Sequence, residues 1–355
     1  VRAVVSDRTL WRNGIHAEEG SFARFLLNDE KKDLPPGERQ SILTMDDPDH
    51  ARIRTPLAKA LYARVAKARP KIDAIVAETL DAVAGRASFD LIADVAIPIP
   101  IITIARILGV DDTRLAEFRD WSEGAILGLN PVRTPAETAH MEASNQALDA
   151  YFTELMAARR AKPQDDLVSD MVQLQAEGAP LSDIEMRINL LALLIGGNLT
   201  TTDLIGNGVR LFLLNPAQKA KLTDDPALVP QAVEEILRYE GPVDITGRVL
   251  SGERAFGGCP MHEGQSVTVA LRGANRDPEV FERPDEFDIT RKGIPHMSFG
   301  GGAHICIGAP LARMEAIAFF SVFFQRFPTL KLRDEPPQWR ALPFFRGLER
   351  LIVET

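Results

Sequence analysis

Cysteine is scarce in this chain: 355 residues hold two, Cys259 and Cys306. Two thiols cannot build a disulfide framework, and without paired Cys/His spacing they do not make a structural zinc site. Such thrift with thiols fits a reducing compartment, the cytoplasm. Positive charge is also in deficit. The net charge of −9 argues against nucleic acid as a general partner. Long apolar runs are missing: "LLALLIGG" from Leu190 is about half of the ~20 residues a membrane span needs. No signal peptide, internal repeat, low-complexity tract or inter-domain linker is visible. The chain opens on Val1, not Met, and "VRAVVSDRTL" reads like the interior of a longer protein.

What is present is helical periodicity and, at 45% hydrophobic residues, ample material for a large core. The pattern predicts helices over Pro48–Arg64, Pro70–Val83, Leu91–Ile107, Asp112–Ile126, Pro135–Arg160, Ser182–Leu214, Pro216–Leu222, Val229–Tyr239 and Ala309–Arg326. Asp47, Thr134 and Asn215, each before a proline, are the expected caps. Strand-like stretches are short and late: Asp244–Leu250, Ser266–Leu271, Leu330–Leu332 and the last few residues, with "GGCPMHEGQ" as a turn region. Trp11–Thr44 reads as irregular, broken by "DLPPGE". The expectation is a mainly α protein, one domain over residues 1–355.

The unusual stretch is "HMSFGGGAHICIGAPLARMEA", His296 to Ala316. Gly300, Gly301 and Gly302 let the backbone turn tightly and aim N–H groups inward. The helix expected from Ala309 adds its positive end. Both favour a thiolate at Cys306. By itself such a cysteine reads as inert packing, or as half of a Cys–His pair with His304 or His296. Phe299, Gly302, His304, Cys306 and Gly308 also fit F-x-x-G-x-H-x-C-x-G. This resembles the haem-binding loop of the cytochrome P-450 family, the haem-thiolate monooxygenases.

The resemblance covers nearly the whole chain and lacks only the N-terminal helix and strands usual in the family. It implies the cytochrome P-450 fold: a large helical domain with small β-sheets, and haem b held between the long central helix and the helix after the cysteine loop. Cys306 is then the axial ligand of haem iron, with Phe299 shielding the sulfur and Gly300 and Gly308 letting the chain pass close to the porphyrin. Glu235 and Arg238 match the family's E-x-x-R, and Arg291 completes a structural ion cluster behind the loop. His50 and Arg54 in "DDPDHARIR", Arg248 in "DITGRVL" and His304 become partners of the haem propionates, which need pairing if buried. In "LLALLIGGNLTTTDLIGNG", Gly196, Gly197, Thr200 and Thr201 fit the family's oxygen-activating helix, with Gly197 beside the cofactor and Thr200 assisting dioxygen activation. The pattern is broken at Leu199, where the family carries an acid that relays protons. Asn198 holding a water, and Asp203 one turn beyond Thr200, are the substitutes the sequence offers.

No dinucleotide fingerprint and no flavin or iron–sulfur pattern is present, so electrons must come from another protein. Between Ala51 and Lys71 there are seven basic residues and no acid: Arg52, Arg54, Lys59, Arg64, Lys67, Arg69 and Lys71. The resemblance makes this the dock for an acidic ferredoxin-like carrier. By the same analogy a small or medium organic substrate is lined by Trp11–Thr44, Asp112–Thr134, Gly196–Thr200, the stretch after Pro242 and "LPFFRG", with Val243, Ile245 and Phe344 as apolar walls. Arg12, Arg24 and Arg346 read first as solvated surface cations, with pairing of a substrate carboxylate as the alternative. The activity implied is insertion of one oxygen atom of O₂ into that substrate. A peroxide-driven enzyme, a haem-binding sensor or carrier without turnover, and a thiol hydrolase are the alternatives.

Overall fold

The stretch of glycines and threonines that should weaken a helix lies inside the longest one, Asp183–Leu214. Its start is fixed by a capping box. Ser182 accepts from the Glu185 N–H at 3.1 Å, and the Glu185 carboxylate accepts from the Ser182 N–H at 2.8 Å. Apolar residues surround the helix because the fold packs against it on nearly every side. By length and composition alone it could cross a membrane, which the sequence expectation missed; its burial in the core accounts for that composition.

The computed structural model describes residues 1–25, 41–130 and 132–355. Helices of eight or more residues are α1 (Asp49–Val65), α2 (Arg69–Val83), α3 (Pro98–Leu108), α4 (Leu115–Ile126), α5 (Pro135–Ala161), α6 (Leu167–Ala176), α7 (Asp183–Leu214), α8 (Pro216–Asp224), α9 (Val229–Glu240) and α10 (Ala309–Phe320). The central α7 meets α3, α4, α5, α9 and α10. The small antiparallel sheets are peripheral. β1 (Ser88–Asp90) pairs β9 (Ile352–Glu354), which pairs β6 (Lys331–Leu332). β2 (Ile245–Val249) pairs β5 (Ser266–Ala270), β3 (Arg254–Phe256) pairs β4 (Cys259–Met261), and β7 (Gln338–Trp339) pairs β8 (Leu348–Arg350). One main apolar cluster runs from Ile42 to Val353.

Several expectations need correction. Helix α6 falls between two expected helices, where none is predicted; Asp166 starts it by accepting from the Ser169 N–H at 2.8 Å. The helix expected over Leu91–Ile107 divides into a π-helical turn, Ile92–Ala96, and α3, because Pro98 has no N–H to continue the first. The one expected over Ala309–Arg326 breaks after Phe320. Thr134 caps α5 with a full capping box. Asn215 holds the N-cap position of α8, but its side chain makes no capping bond, since its amide turns back to the Leu211 carbonyl at 2.8 Å. Asp47 sits one residue too early and accepts from the Ala51 N–H at 3.2 Å. The turn region after Phe256 holds strand β4, reversed at Gly257 and Gly258, whose φ values of 58° and 82° suit glycine. Within Trp11–Thr44, short helices occur at Gly14–His16 and Phe22–Phe25, and "DLPPGE" lies outside the described residues.

Candidate active site

The cysteine loop is a tight reversal. The Cys306 N–H donates to the Phe299 carbonyl at 2.9 Å, and the Gly300 N–H to that of Met297 at 2.8 Å. Gly302 has φ +66°, and a Cβ there would lie 2.5 Å from the Val5 carbonyl oxygen, so no other residue fits. Cys306 keeps an exposed face, yet the protein atoms crowded around it push the thiol up. The Gly308 and Ala309 amides and the charges of Arg54 and Arg313 pull it down. His296 and His304 do not hydrogen-bond Cys306 among the described residues: His296 binds Glu234 at 3.0 Å, and His304 stacks on His50 with ring centroids 4.1 Å apart. The Cys–His pair is thereby set aside.

His50 and Arg54 of α1, Arg248 of β2 and His304, from three distant segments, converge at the edge of this loop. Burial pushes His304 down to about 3, helped by the neighbouring His50, Arg12, Arg248 and Arg54. Arg12 joins them, although in the sequence it reads as a solvated surface cation. It donates to the Leu43 and Gly247 carbonyls at 3.0 and 2.8 Å, and burial followed by repulsion from Arg248 lowers it to about 10. Arg24 and Arg346 are likewise taken, by the Ile15 carbonyl at 2.8 Å and by Glu240 at 2.8 Å. Among the described residues, the buried ring nitrogens His50 Nε2 and His304 Nδ1 have no hydrogen-bond partner. A cationic nest with free buried donors suits a dianionic cofactor edge, so the residues present fit haem.

Behind the loop, Glu235 and Arg238 are fully buried and doubly bonded, at 2.7 and 2.8 Å. Arg291 Nε lies 3.3 Å from Glu235. Arg291 donates onward to the Glu282 and Arg283 carbonyls, so it does not itself reach the cysteine loop. The link is Asn275, which the sequence reading passed over. Its carbonyl accepts from Arg238 at 2.9 Å, and its side chain engages the Met297 N–H at 2.6 Å and Ser298 at 2.8 Å. A second brace is Glu234, between His296 and Arg313, with the Arg313 guanidinium 4.5 Å from the Phe299 ring centroid. Burial pushes Glu234 up, but Arg313 and His296 overcome it and hold the carboxyl down to about 2.

On α7 the open stripe is Gly196 and Thr200, and the Thr200 hydroxyl donates to the Gly196 carbonyl at 2.8 Å. Gly197 is a correction: each helical step turns about 100°, and Gly197 faces Ile104 of α3, 3.2 Å from where its Cβ would be. Thr201 is buried beside Glu315 of α10. Asn198 is also buried, and its carbonyl accepts from Thr202 at 3.0 Å. Asp203 is corrected too. Its side chain points away into an ion pair with Arg340 at 3.0 Å, and burial pushes it up to about 7 against the pull of that arginine. Leu199 packs instead with Ile126 and Leu342, joined by Leu129, Ile195 and Phe345. Phe345, not Phe344, is the ring in this cluster; the Phe344 carbonyl accepts from the Asp244 N–H at 3.0 Å. Val243 bridges to Phe345, and Ile245 begins β2 opposite Ala270.

Comparison with known proteins identifies the family. The cytochrome P-450 family model matches residues 126–342. Cytochrome P-450 107B1 of Saccharopolyspora erythraea is 43% identical over 88% of this chain and 76% of its own. The 6-deoxyerythronolide B hydroxylase of the same organism is 38% identical over 87% of this chain and 76% of its own. The structure of the myxobacterial cytochrome P-450 CYP267B1 with myristic acid superposes with a TM-score of 0.89 at 34% identity, over 99% of this chain and 87% of that one. The chain belongs to the cytochrome P-450 family. It is a monooxygenase of mainly α fold with a haem cofactor, which sets aside the non-catalytic carrier and the thiol hydrolase.

Proposed function

We propose that the cofactor is haem b, that one domain over residues 1–355 carries it, and that the enzyme hydroxylates an apolar organic molecule in the cytoplasm. The observation that carries the reading is the convergence of Cys306, in its amide-lined turn, with His50, Arg54, Arg248, His304 and Arg12. Cys306 is the iron ligand, and the cations and ring nitrogens hold the propionates. Phe299, Gly300 and Gly308 shape the proximal wall. Bound there, haem supplies the O₂-activating chemistry, with the thiolate donating electron density to the iron. The chain's own part is positional. Thr200 keeps a hydroxyl proton on the open stripe at Gly196, and Leu199 leaves no acid beside it. Ile126, Leu199, Leu342 and Phe345 make an apolar wall, with Val243, Ile245 and Phe344 as flanking residues; this favours lipid-like or macrolide-like substrates. The names of the hydroxylase relative and the myristic acid complex point the same way. Two free cysteines accord with a reducing compartment.

Electrons would come from an acidic ferredoxin-like carrier on the Arg52–Lys71 face. That face is weaker than its sequence suggests. Arg52 pairs with Asp49 and Glu185, Arg64 with Asp165 and Asp170, and Arg69 with Asp73. Lys59, Lys67 and Lys71 stay exposed. The missing acid at Leu199 favours a second reading, in which hydrogen peroxide replaces O₂ and the carrier.

The deciding measurement is the absorption spectrum of reduced protein under carbon monoxide. The long-wavelength band of thiolate-ligated haem is expected, and Cys306→Ser is expected to abolish it. A serine variant that keeps both pigment and turnover would sink the reading. Thr200→Ala should lower product formed per NAD(P)H several-fold, and unchanged coupling would remove Thr200 from the proton route.

A further inference from the structure

Four residues of α7, Leu199, Asp203, Asn207 and Arg210, follow one another at four, four and three positions, so they form one stripe. The whole stripe meets the C-terminal hairpin, residues 338–350. Leu199 packs on Leu342 near the hairpin tip. Asp203 takes Arg340 Nη1 on both carboxylate oxygens, at 3.0 and 3.2 Å. The Asn207 amide donates to the Arg346 carbonyl at 2.7 Å and to that of Glu240 at 3.1 Å. The Arg210 guanidinium lies 5.3 Å from the Trp339 ring centroid.

The hairpin is built to receive this stripe. Arg340 gives its own N–H to the Gly347 carbonyl at 3.0 Å and Nη2 to that of Leu348 at 3.3 Å. Gly347 lies so near that a Cβ there would be 2.0 Å from Asp203 Oδ1. A carboxylate with no exposed surface must be paired to be tolerated, and the pair is directional. The contact one turn away, between Leu199 and the tip, is apolar and can slide. The ion pair therefore sets the height of the tip and the apolar contact follows it.

We propose that Asp203 and Arg340 are a positioning pair for substrate. They hold Leu342 and Phe345 at a fixed place beside Leu199, and so decide which bulky apolar molecules fit and how they lie. This rests on reading that cluster as the pocket wall. It also gives the departure at Leu199 a role, as the seat of the hairpin tip.

The test uses the haem-loaded enzyme with imidazole and with a bulky aryl-imidazole, both followed by the spectral shift when the azole nitrogen ligates iron. Asp203→Asn and Arg340→Met should leave imidazole affinity unchanged, because that ring is too small to reach the wall. Each should shift aryl-imidazole affinity about tenfold, the scale of one or two methylenes in a pocket. Amide hydrogen exchange should quicken over residues 338–350 and not over the cysteine loop. Asn207→Ala removes one amide bond in place of an ion pair and is the milder variant read in parallel. Unchanged aryl-imidazole affinity, or an equal shift for both azoles, would overturn the pair's role. Wild-type protein that shows no shift with imidazole would instead refute the haem-site reading and this inference with it.

Discussion

Among the described residues, Glu315 has no cationic partner. It is fully buried on α10, beside the hydroxyls of Thr103 and Thr201. Burial is the dominant influence and pushes it up from 4.5 to about 8. The folded protein therefore holds a proton that the unfolded chain has released at neutral pH. Its contribution to stability is complete below about pH 4.5 and is lost as pH rises through about 8. Glu315→Gln removes that slope. Thermal melts of the holoprotein should show the glutamine variant close to wild type in acid and more stable above pH 8. A constant difference across the range would mean Glu315 does not titrate there. Glu235 is the opposite case, a buried carboxylate whose role is to neutralise Arg238. Glu235→Ala strands a fully buried guanidinium and should cost about 3–5 kcal/mol, read by denaturant unfolding.

At the scale of elements, the cysteine loop depends on its surroundings as much as on its own sequence. Gly302 needs both a positive φ and the space next to Val5 of the short helix Arg2–Ser6. Gly302→Ala adds the cost of a left-handed conformation, about 1–2 kcal/mol, and a backbone clash that cannot relax. Haem retention, read as the ratio of haem to protein absorbance, should fall sharply, while Gly252→Ala, with open space around it, should retain haem. This loop was legible in the sequence because its information is local: glycines, a cysteine and a helix start within ten residues. Thr134 was legible for the same reason. The Asp203–Arg340 pair spans 137 residues and the Arg12–Gly247 bond 235. No local pattern encodes such pairings, so Asp203 looked like a proton donor and Arg12 like a surface cation. Gly197 was misread because two adjacent glycines match a motif equally well, and only helical rotation separates their faces.

The whole molecule sets the terms on which a redox partner arrives. With a net charge of −9 it repels an acidic carrier everywhere except at a locally positive face. Seven basic residues without an acid between Ala51 and Lys71 suggest a strong one, yet three of the arginines are neutralised by acids that lie outside that stretch or beside its ends. Lys67 and Lys71 also lie close enough to Asp165 to lower its carboxyl. The steering field is therefore that of a few exposed lysines and not of seven cations. Exposed charges are screened over about 8 Å at physiological ionic strength. Electron delivery from an acidic ferredoxin should slow as salt rises, with a slope matching two or three charge contacts. Replacing Lys59, Lys67 and Lys71 together by glutamine should flatten the salt profile and lower the rate at low salt, with the carbon monoxide spectrum unchanged. If the triple variant keeps the wild-type salt dependence, the carrier docks on another face, and the three lysines serve only to keep α1 and α2 solvated.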